Sequence, residues 1–415
     1  MADQLTNWAG NIVFGAARVH RPVTVAEVQA IVAGSSHVRA LGTGHSFNTI
    51  ADTDGDLIYI AGLPDELEID SAAHTVRIAA GLQYGQIAGR LHDAGYALRN
   101  LGSLPHISVA GACSTGTHGS GVGNQALANS VSAVELVTAD GSLVSLSRAA
   151  DPERFPGAVL ALGALGIMTS LTLDLIPAFD VQQYVYQDLP REQFDAHAAE
   201  VFAAGYSVSA FLDFARPSFT QVWIKHRVEG GTWDAPASWL GATLAREPLN
   251  PVPGMSAVHC TEQLGVPGPW HARLPHFRLE FTPSSGDELQ SEYFVPRERI
   301  VEALAALDPI RDRIAPLLQV AELRTIAADE LWLSPAYRRD NAALHFTWVQ
   351  DTPAVLPVLT AMEEALAPFE VRTHWGKVFT SNPAAPYERL PQFLELAKTL
   401  DPGGKFRNDL LNRYL

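Results

Sequence analysis

Three pairs of residues able to do chemistry stand at two-residue spacing inside apolar runs. They are Glu322 and Arg324 in Val-Ala-Glu-Leu-Arg-Thr-Ile, His345 and Thr347 in Leu-His-Phe-Thr-Trp-Val, and Trp375 and Lys377 in His-Trp-Gly-Lys. Residues i and i+2 of an extended chain share a face, so each segment, read as a strand, presents its pair to one side. Three strands each presenting such polar groups among apolar neighbours could line one pocket. Solvated sheet faces carry the same residue types, and spacing alone leaves both readings open. A metal held by Glu322, His345 and His374 is disfavoured because Arg324 and Lys377 would repel the cation, so no metal is expected. No Gly-x-Ser-x-Gly elbow supports a serine hydrolase.

Two glycine-rich stretches lie far upstream. The first is Arg39-Ala-Leu-Gly-Thr-Gly-His-Ser-Phe-Asn48. Its glycines let the backbone close on a ligand, and successive N–H groups in such a turn make a nest for anionic oxygens. His45 sits at its centre. A surface turn with an incidental histidine is the competing reading. It is not a dinucleotide fingerprint, because Phe47 stands at the third glycine position and no helix pattern follows. The second stretch, from Leu101 to Gly123, has six glycines and several hydroxyls in 23 residues. With few large side chains it cannot build a core alone. Ile107, Val109 and Ala110 can anchor it while it wraps a polar ligand.

The elements that must position these residues are short and mixed. Thr24 and Glu27 form a capping box before an apolar run that Gly34 can close. Strands are expected at 37–41, 57–61, 67–70 and 75–79. A helix is expected at 84–94, and a hairpin from 131–138 and 142–147 around Asp140-Gly141. A glycine turn at 162–166 enters a strand that Pro177 stops. Beyond about residue 178 aromatics become frequent. Strands are expected there at 207–214, 221–226, 320–326, 344–349 and 372–379, helices at 297–307 and 354–367, and a Pro/Gly-rich loop between Pro248 and Pro269. A helix at 390–400 and an Asp-Pro-Gly-Gly turn come last. The pattern is α+β rather than repeated βαβ units.

Composition narrows the function. The 415 residues allow two or three domains, and 47% hydrophobic with 18% charged residues is ordinary for a globular enzyme. A net charge of −16 argues against nucleic acid and against an anionic membrane surface. Cys113 and Cys260 imply no disulfide framework. No leader pattern and no run of about 18 apolar residues is present. A cytoplasmic protein is expected.

Taken together the motifs resemble the vanillyl-alcohol-oxidase-type flavoproteins. The resemblance rests on Gly-Thr-Gly-His-Ser-Phe-Asn at 42–48, Ser-Leu-Pro-His-Ile-Ser-Val-Ala-Gly at 103–111 and Thr-Gly-Thr-His-Gly-Ser-Gly at 115–121. It also rests on Leu-Gly-Ala-Leu-Gly-Ile at 162–167, His-Trp-Gly-Lys at 374–377 and Asp-Pro-Gly-Gly-Lys-Phe at 401–406. It runs from Asn7 to the tail. Glu-Leu-Arg-Thr, His-Phe-Thr-Trp and His-Trp-Gly-Lys are similar, within these, to the alditol (xylitol) oxidases of actinobacteria.

The resemblance implies a two-domain covalent-flavin oxidase fold. Residues 1–178, with 380–415 returning, would bind FAD as two small α+β subdomains, and 179–379 would form a substrate-binding cap with a sheet and flanking helices. It implies FAD bonded through its 8α-methyl to His45. Flavin contacts would come from Gly42, Thr43, Gly44, Ser46, Phe47, Asn48, Ser103, Ser108, Gly111, Thr115, Gly116, Thr117, His118, the backbone of Ile167, and His374. Strand alternation sets His374 opposite Lys377, which fits that role poorly unless Gly376 breaks the pattern. Some relatives attach flavin a second time through a cysteine near Ser103. None stands there, so a single bond is expected.

Gly102, just before Ser103, would leave O2 access to the flavin open. The implied reaction oxidises the terminal CH2OH of an acyclic polyol, with O2 reduced to H2O2. Ser103, Glu322, Arg324, Thr347 and Lys377 would bind the substrate. Lys377 or His345 would be the base, Arg324 would stabilise the oxyanion, and Glu322 would hold Arg324. A monomer acting on a small polyol is expected. An aldonolactone oxidase or dehydrogenase of the same fold is the alternative, and a non-catalytic flavin- or carbohydrate-binding protein is the reading from another class.

Overall fold

The computed structural model describes residues 5–229, 233–280 and 287–415. Near the start, Asp56–Tyr59 pairs in parallel with Arg18–His20 on one side and Val38–Leu41 on the other. Helix Val25–Gly34 packs Val28 and Val32 inward, and Thr24 caps it by accepting from the Glu27 N–H. Strand Val38–Leu41 is buried at three of four positions and delivers the chain into the first glycine loop. A five-stranded antiparallel sheet comes next in the order Leu67–Asp70, Thr75–Ala79, Ile167–Asp174, Val131–Val137, Leu143–Ser147. Its hairpin turns at Gly141, with φ +85°. Gly166 lets the long strand start hard against its neighbour, since a Cβ there would lie 2.6 Å from the Val137 carbonyl.

A ten-stranded sheet occupies most of the middle of the chain. Its antiparallel centre runs Asp180–Pro190, Ser218–Arg227, Ser207–Leu212, Leu318–Ile326, Asn341–Val349, Glu288–Pro296. Helices Arg191–Ala203, Ile300–Leu307 and Thr352–Leu366 cover one face. Phe194, Leu304 and Leu359 meet Leu289, Tyr293, Leu323, Leu344 and Phe346 in one core. Burying each large apolar side chain is worth about 1.5–3 kcal/mol, and this fixes which way every strand faces. Two-residue alternation then turns Gln290, Glu292, Glu322, Arg324, His345 and Thr347 to the opposite face. The other large core belongs to the N-terminal sheets. It also takes in Trp270, Leu333, Trp375, Phe393, Phe406 and Leu411 from later in the chain.

Most expected elements are present within a residue or two, and 67–70, 75–79 and 390–400 match at both ends. The strand expected at 372–379 is corrected. Only Arg372–Thr373 pairs, with Phe294 and Tyr293. Beyond Thr373 the chain turns, and the Lys377 N–H donates to the His374 carbonyl at 3.1 Å. The turn exists because Trp375 is drawn into the N-terminal core, where its Nε1 donates to the Leu333 carbonyl at 2.8 Å. Trp375 and Lys377 therefore share no strand face. The strand at 57–61 stops at Tyr59 and becomes a single 3₁₀ turn, Ile60–Gly62. Unforeseen were the helix Val109–Thr115 inside the second glycine-rich block, strand Asp180–Pro190 with the helix after it, and strand Glu288–Pro296.

Candidate active site

The first glycine loop lies against the second. The Ser108 N–H donates to Thr43 Oγ1 at 3.1 Å. A Cβ on Gly42 would sit 2.3 Å from Ser108 Oγ, and one on Gly111 2.7 Å from it. Glycine at both positions leaves the Ser108 hydroxyl its place between the two segments as they close into a cradle. Trp8 stacks on His45 with ring centroids 5.0 Å apart and planes 16° apart. His45 Nδ1 lies 3.1 Å from the Thr43 carbonyl. Burial lowers its pKa to about 4, so at neutral pH the ring is neutral and keeps a free lone pair.

The turn that carries Lys377 is fastened to this loop. Asn48 Nδ2 donates to the carbonyls of Trp375 and Lys377, both at 2.8 Å, and the Phe47 N–H donates to the Gly376 carbonyl at 2.8 Å. The turn is what brings His374 and Lys377 to the same cleft despite their odd spacing. Lys377 Nζ donates to Gln290 Oε1 and lies 5.4 Å from the Phe47 ring centre. Burial lowers its pKa to about 8, with Arg324 adding to the fall and Glu292 resisting it.

Facing the loop is the polar side of the large sheet. Register sets Glu322 opposite His345, and His345 opposite Glu292 on the next strand. Arg324 Nη2 donates to Glu292 Oε1 at 2.6 Å, and the same oxygen takes His118 Nε2 at 3.0 Å. Burial disfavours charge here, but Glu322 and Glu292 outweigh it and raise the Arg324 pKa. Arg324 and His276 likewise hold the Glu322 carboxyl below the usual range against its burial. His345 Nε2 is 3.3 Å from Thr347 Oγ1, and burial, then the charge of Lys377, lowers its pKa to about 4. Arg324 Nε lies 3.6 Å from Glu322 Oε2 and His345 Nδ1 3.7 Å from Glu292 Oε1, both buried and beyond hydrogen-bond distance. Contacts this long leave hydrogen-bonding capacity that a ligand can meet.

One cleft is lined by both halves. It takes in Gly42, Thr43, Gly44, His45, Ser46, Phe47, Asn48, Gly102, Ser103, Ser108, Gly111, Thr115, Thr117 and His118. From the large sheet and the turn come Glu322, Arg324, His345, Thr347, His374 and Lys377. Gly116 and Ile167 are not among its lining residues. Gly116 ends the short helix with φ +85°, and Ile167 is fully buried in the N-terminal core beside cleft-lining Gly166 and Met168. Glu292, Gln290 and His276 are among the cleft residues that the sequence does not single out. Alternation in Glu-Leu-Gln-Ser-Glu-Tyr-Phe-Val could have found the first two. His276, in Leu-Pro-His-Phe, carries no pattern that marks it.

The glycine-lined cradle accommodates FAD, and the fold and site together define the class: a FAD-dependent oxidoreductase. Residues 16–147 match the FAD binding domain family, and 287–414 match the D-arabinono-1,4-lactone oxidase family. The chain is 54% identical to the alditol oxidase of a Streptomyces species, over the full length of both. It is 30% identical to the L-gulono-1,4-lactone dehydrogenase of Mycobacterium tuberculosis, again over both full lengths. The crystal structure of cholesterol oxidase from B. sterolicum superposes with a TM-score of 0.79 at 15% identity, covering 99% of this chain and 96% of that one, which shows the shared fold. The chain belongs to the vanillyl-alcohol-oxidase-type family of FAD-dependent oxidoreductases. Among the described residues no helix is long and apolar enough to cross a membrane.

Proposed function

We propose that this enzyme oxidises the terminal CH2OH of acyclic polyols such as xylitol and sorbitol to the aldose, with O2 reduced to H2O2. The observation that carries this reading is the grouping of Glu322, Arg324, His345, Thr347 and Lys377 on the cleft that the His45 loop also lines. A polyol presents only hydroxyls, and this surface offers closely spaced donors and acceptors, two of its buried nitrogens standing beyond hydrogen-bond distance of the carboxylates they face. Such a site rejects alcohols that lack the matching hydroxyls. The full-length match to an alditol oxidase supports the same substrate class.

Bound FAD supplies the acceptor for the C1 hydride and the electrons that reduce O2. Lys377 takes the C1 hydroxyl proton. With a pKa of about 8, roughly a tenth of it is the free amine at pH 7. Arg324, always charged and held by Glu292, stabilises the alkoxide as it forms. Glu322, Thr347 and Ser103 bind the remaining hydroxyls. His345, neutral at pH 7, is the competing base. His45 is the single point of flavin attachment, and its neutral ring has the lone pair that a new bond requires. Residues 1–178 with 380–415 act as the flavin domain and 179–379 as the cap. Both cysteines are buried and free, which supports a reducing, cytoplasmic setting. A monomer is the proposed state.

The match of residues 287–414 to the D-arabinono-1,4-lactone oxidase family favours an aldonolactone as the second reading. Product analysis in air separates the two. Xylitol should yield aldose and H2O2 in equal amounts, while L-gulono-1,4-lactone should yield little of either. Turnover of the lactone alone would replace the alditol reading.

A further inference from the structure

A buried chain of polar groups lies behind Glu322, on the side away from Glu292, and the reaction above leaves it unused. Lys225, on strand Ser218–Arg227, is 1% exposed. Its Nζ faces the carbonyls of Leu274 and Pro275 and, at 3.3 Å, His276 Nδ1. His276 Nε2 lies 2.8 Å from Glu322 Oε1, with Ser209 Oγ 3.5 Å from the same nitrogen. His276 and Glu322 line the cleft and Lys225 does not. The His276 backbone N–H also donates to the Ser103 carbonyl at 3.1 Å, which fixes this loop against the opposite wall.

Counting donors and acceptors places the protons. Carbonyls only accept, so two of the three ammonium protons of Lys225 go to Leu274 and Pro275. The third points at His276 Nδ1, which must then be bare. A neutral imidazole with bare Nδ1 carries its proton on Nε2, and that N–H donates to Glu322 Oε1. The other tautomer would oppose two lone pairs at Nε2 and Oε1, and would aim Nδ1–H at an ammonium. Burial, then the charge of Lys225, lowers the His276 pKa to about 4, so the neutral ring persists at neutral pH.

We propose that Lys225 is a positioning residue for substrate recognition. Through His276 it ties down Oε1 of Glu322, so that Oε2, which faces Arg324 Nε at 3.6 Å, keeps a lone pair placed to accept an inner or distal hydroxyl of the polyol. This rests on the alditol reading. Arg324 Nε lies 3.6 Å from Glu322 Oε2, so where Arg324 holds the oxygen being oxidised, Glu322 is left the hydroxyl next to it. The chain therefore acts on affinity for polyols more than on the chemical step.

Nitrogen NMR of 15N-histidine-labelled holoenzyme at pH 6 tests the relay. At that pH Lys225, lowered by burial to about 7, keeps its charge. The His276 signal, assigned by its loss in His276→Gln, should report Nε2–H in the parent and a tautomer mixture in Lys225→Met. Lys225→Met and His276→Leu should each raise the KM for xylitol about 10-fold or more, the worth of one charge-assisted hydrogen bond, with a smaller change in kcat. Lys225→Arg should recover most of that loss. His276→Gln should recover affinity relative to His276→Leu, because its amide accepts from Lys225 and donates to Glu322. The His276 pair keeps the test open if Lys225→Met does not fold. A bare Nε2 in the parent, or equal KM for His276→Gln and His276→Leu, would overturn the proposal. Failure of xylitol as a substrate would overturn the alditol reading and the polyol-affinity role with it, while the NMR decides the relay itself without turnover.

Discussion

Glu292 and Arg324 meet across a strand that separates their own. Arg324 Nη2 lies 2.6 Å from Glu292 Oε1 over strand Asn341–Val349, where Arg324 stands opposite Ala343 and the small side chain leaves the path clear. The same carboxylate oxygen reaches His118 in the second glycine-rich block at 3.0 Å. One buried acid thus joins the strand of Arg324 to the flavin cradle.

Removing one partner of such a buried pair costs about 3–5 kcal/mol. Glu292→Gln is expected to lose stability of that order in denaturant titrations, and to slow anaerobic flavin reduction because Arg324 loses its anchor. Burial opposes the charge of Glu292, but His118 and Arg324 hold its pKa far below the ordinary value. A depressed acid contributes fully above its unfolded pKa of about 4.3 and loses its contribution as pH falls through the folded value. The stability gap between parent and variant should stay level from about pH 6 to 8 and narrow only in acid. No gap at pH 7 would contradict the anchoring role.

The pH profile of the reductive step separates the two bases. A base works only without its proton, so with Lys377 the anaerobic reduction rate should climb as pH rises through about 8. With His345, lowered to about 4, it should be flat over that range. Lys377→Met should cut the rate by about 10²–10⁴-fold and leave reoxidation by O2 much less affected. If Lys377→Met reduces at close to the parent rate and His345→Ala does not, the base is His345.

How far the site could be read from sequence follows local geometry. Glu322, Arg324, His345 and Thr347 were legible because strict alternation in apolar runs survives in the sheet. Lys377 was reached by motif, while its backbone was misread as strand. What decides that turn is the pull of Trp375 into a core formed by residues hundreds of positions away, and no local pattern reports it. The helix Val109–Thr115 was hidden because glycine, serine and threonine mask helical periodicity over so few residues. Glu292 was missed although its strand alternates cleanly. His276 has no signal at all, since a loop places it.

Gly102 bears on oxygen. A Cβ there would find its nearest atom, Thr117 Cγ2, at 3.6 Å, an ordinary contact, so Gly102→Ala should fold unstrained. It is expected to slow reoxidation by O2 in stopped-flow while flavin reduction by xylitol stays nearly unchanged. Equal reoxidation rates in parent and variant would remove Gly102 from the oxygen path.

His45 bears on attachment. Acid-denatured parent protein should keep flavin on the polypeptide, and His45→Ala should release it to the supernatant. Flavin that stays on the chain in His45→Ala would point to another attachment residue.

The most direct measurement is anaerobic mixing of the purified yellow enzyme with xylitol, followed by admission of air. The flavin band should bleach with xylitol, return on aeration with release of H2O2, and stay unchanged with L-gulono-1,4-lactone. A band that bleaches with the lactone and not with xylitol, or with neither, would contradict the assignment of this cleft to polyol oxidation.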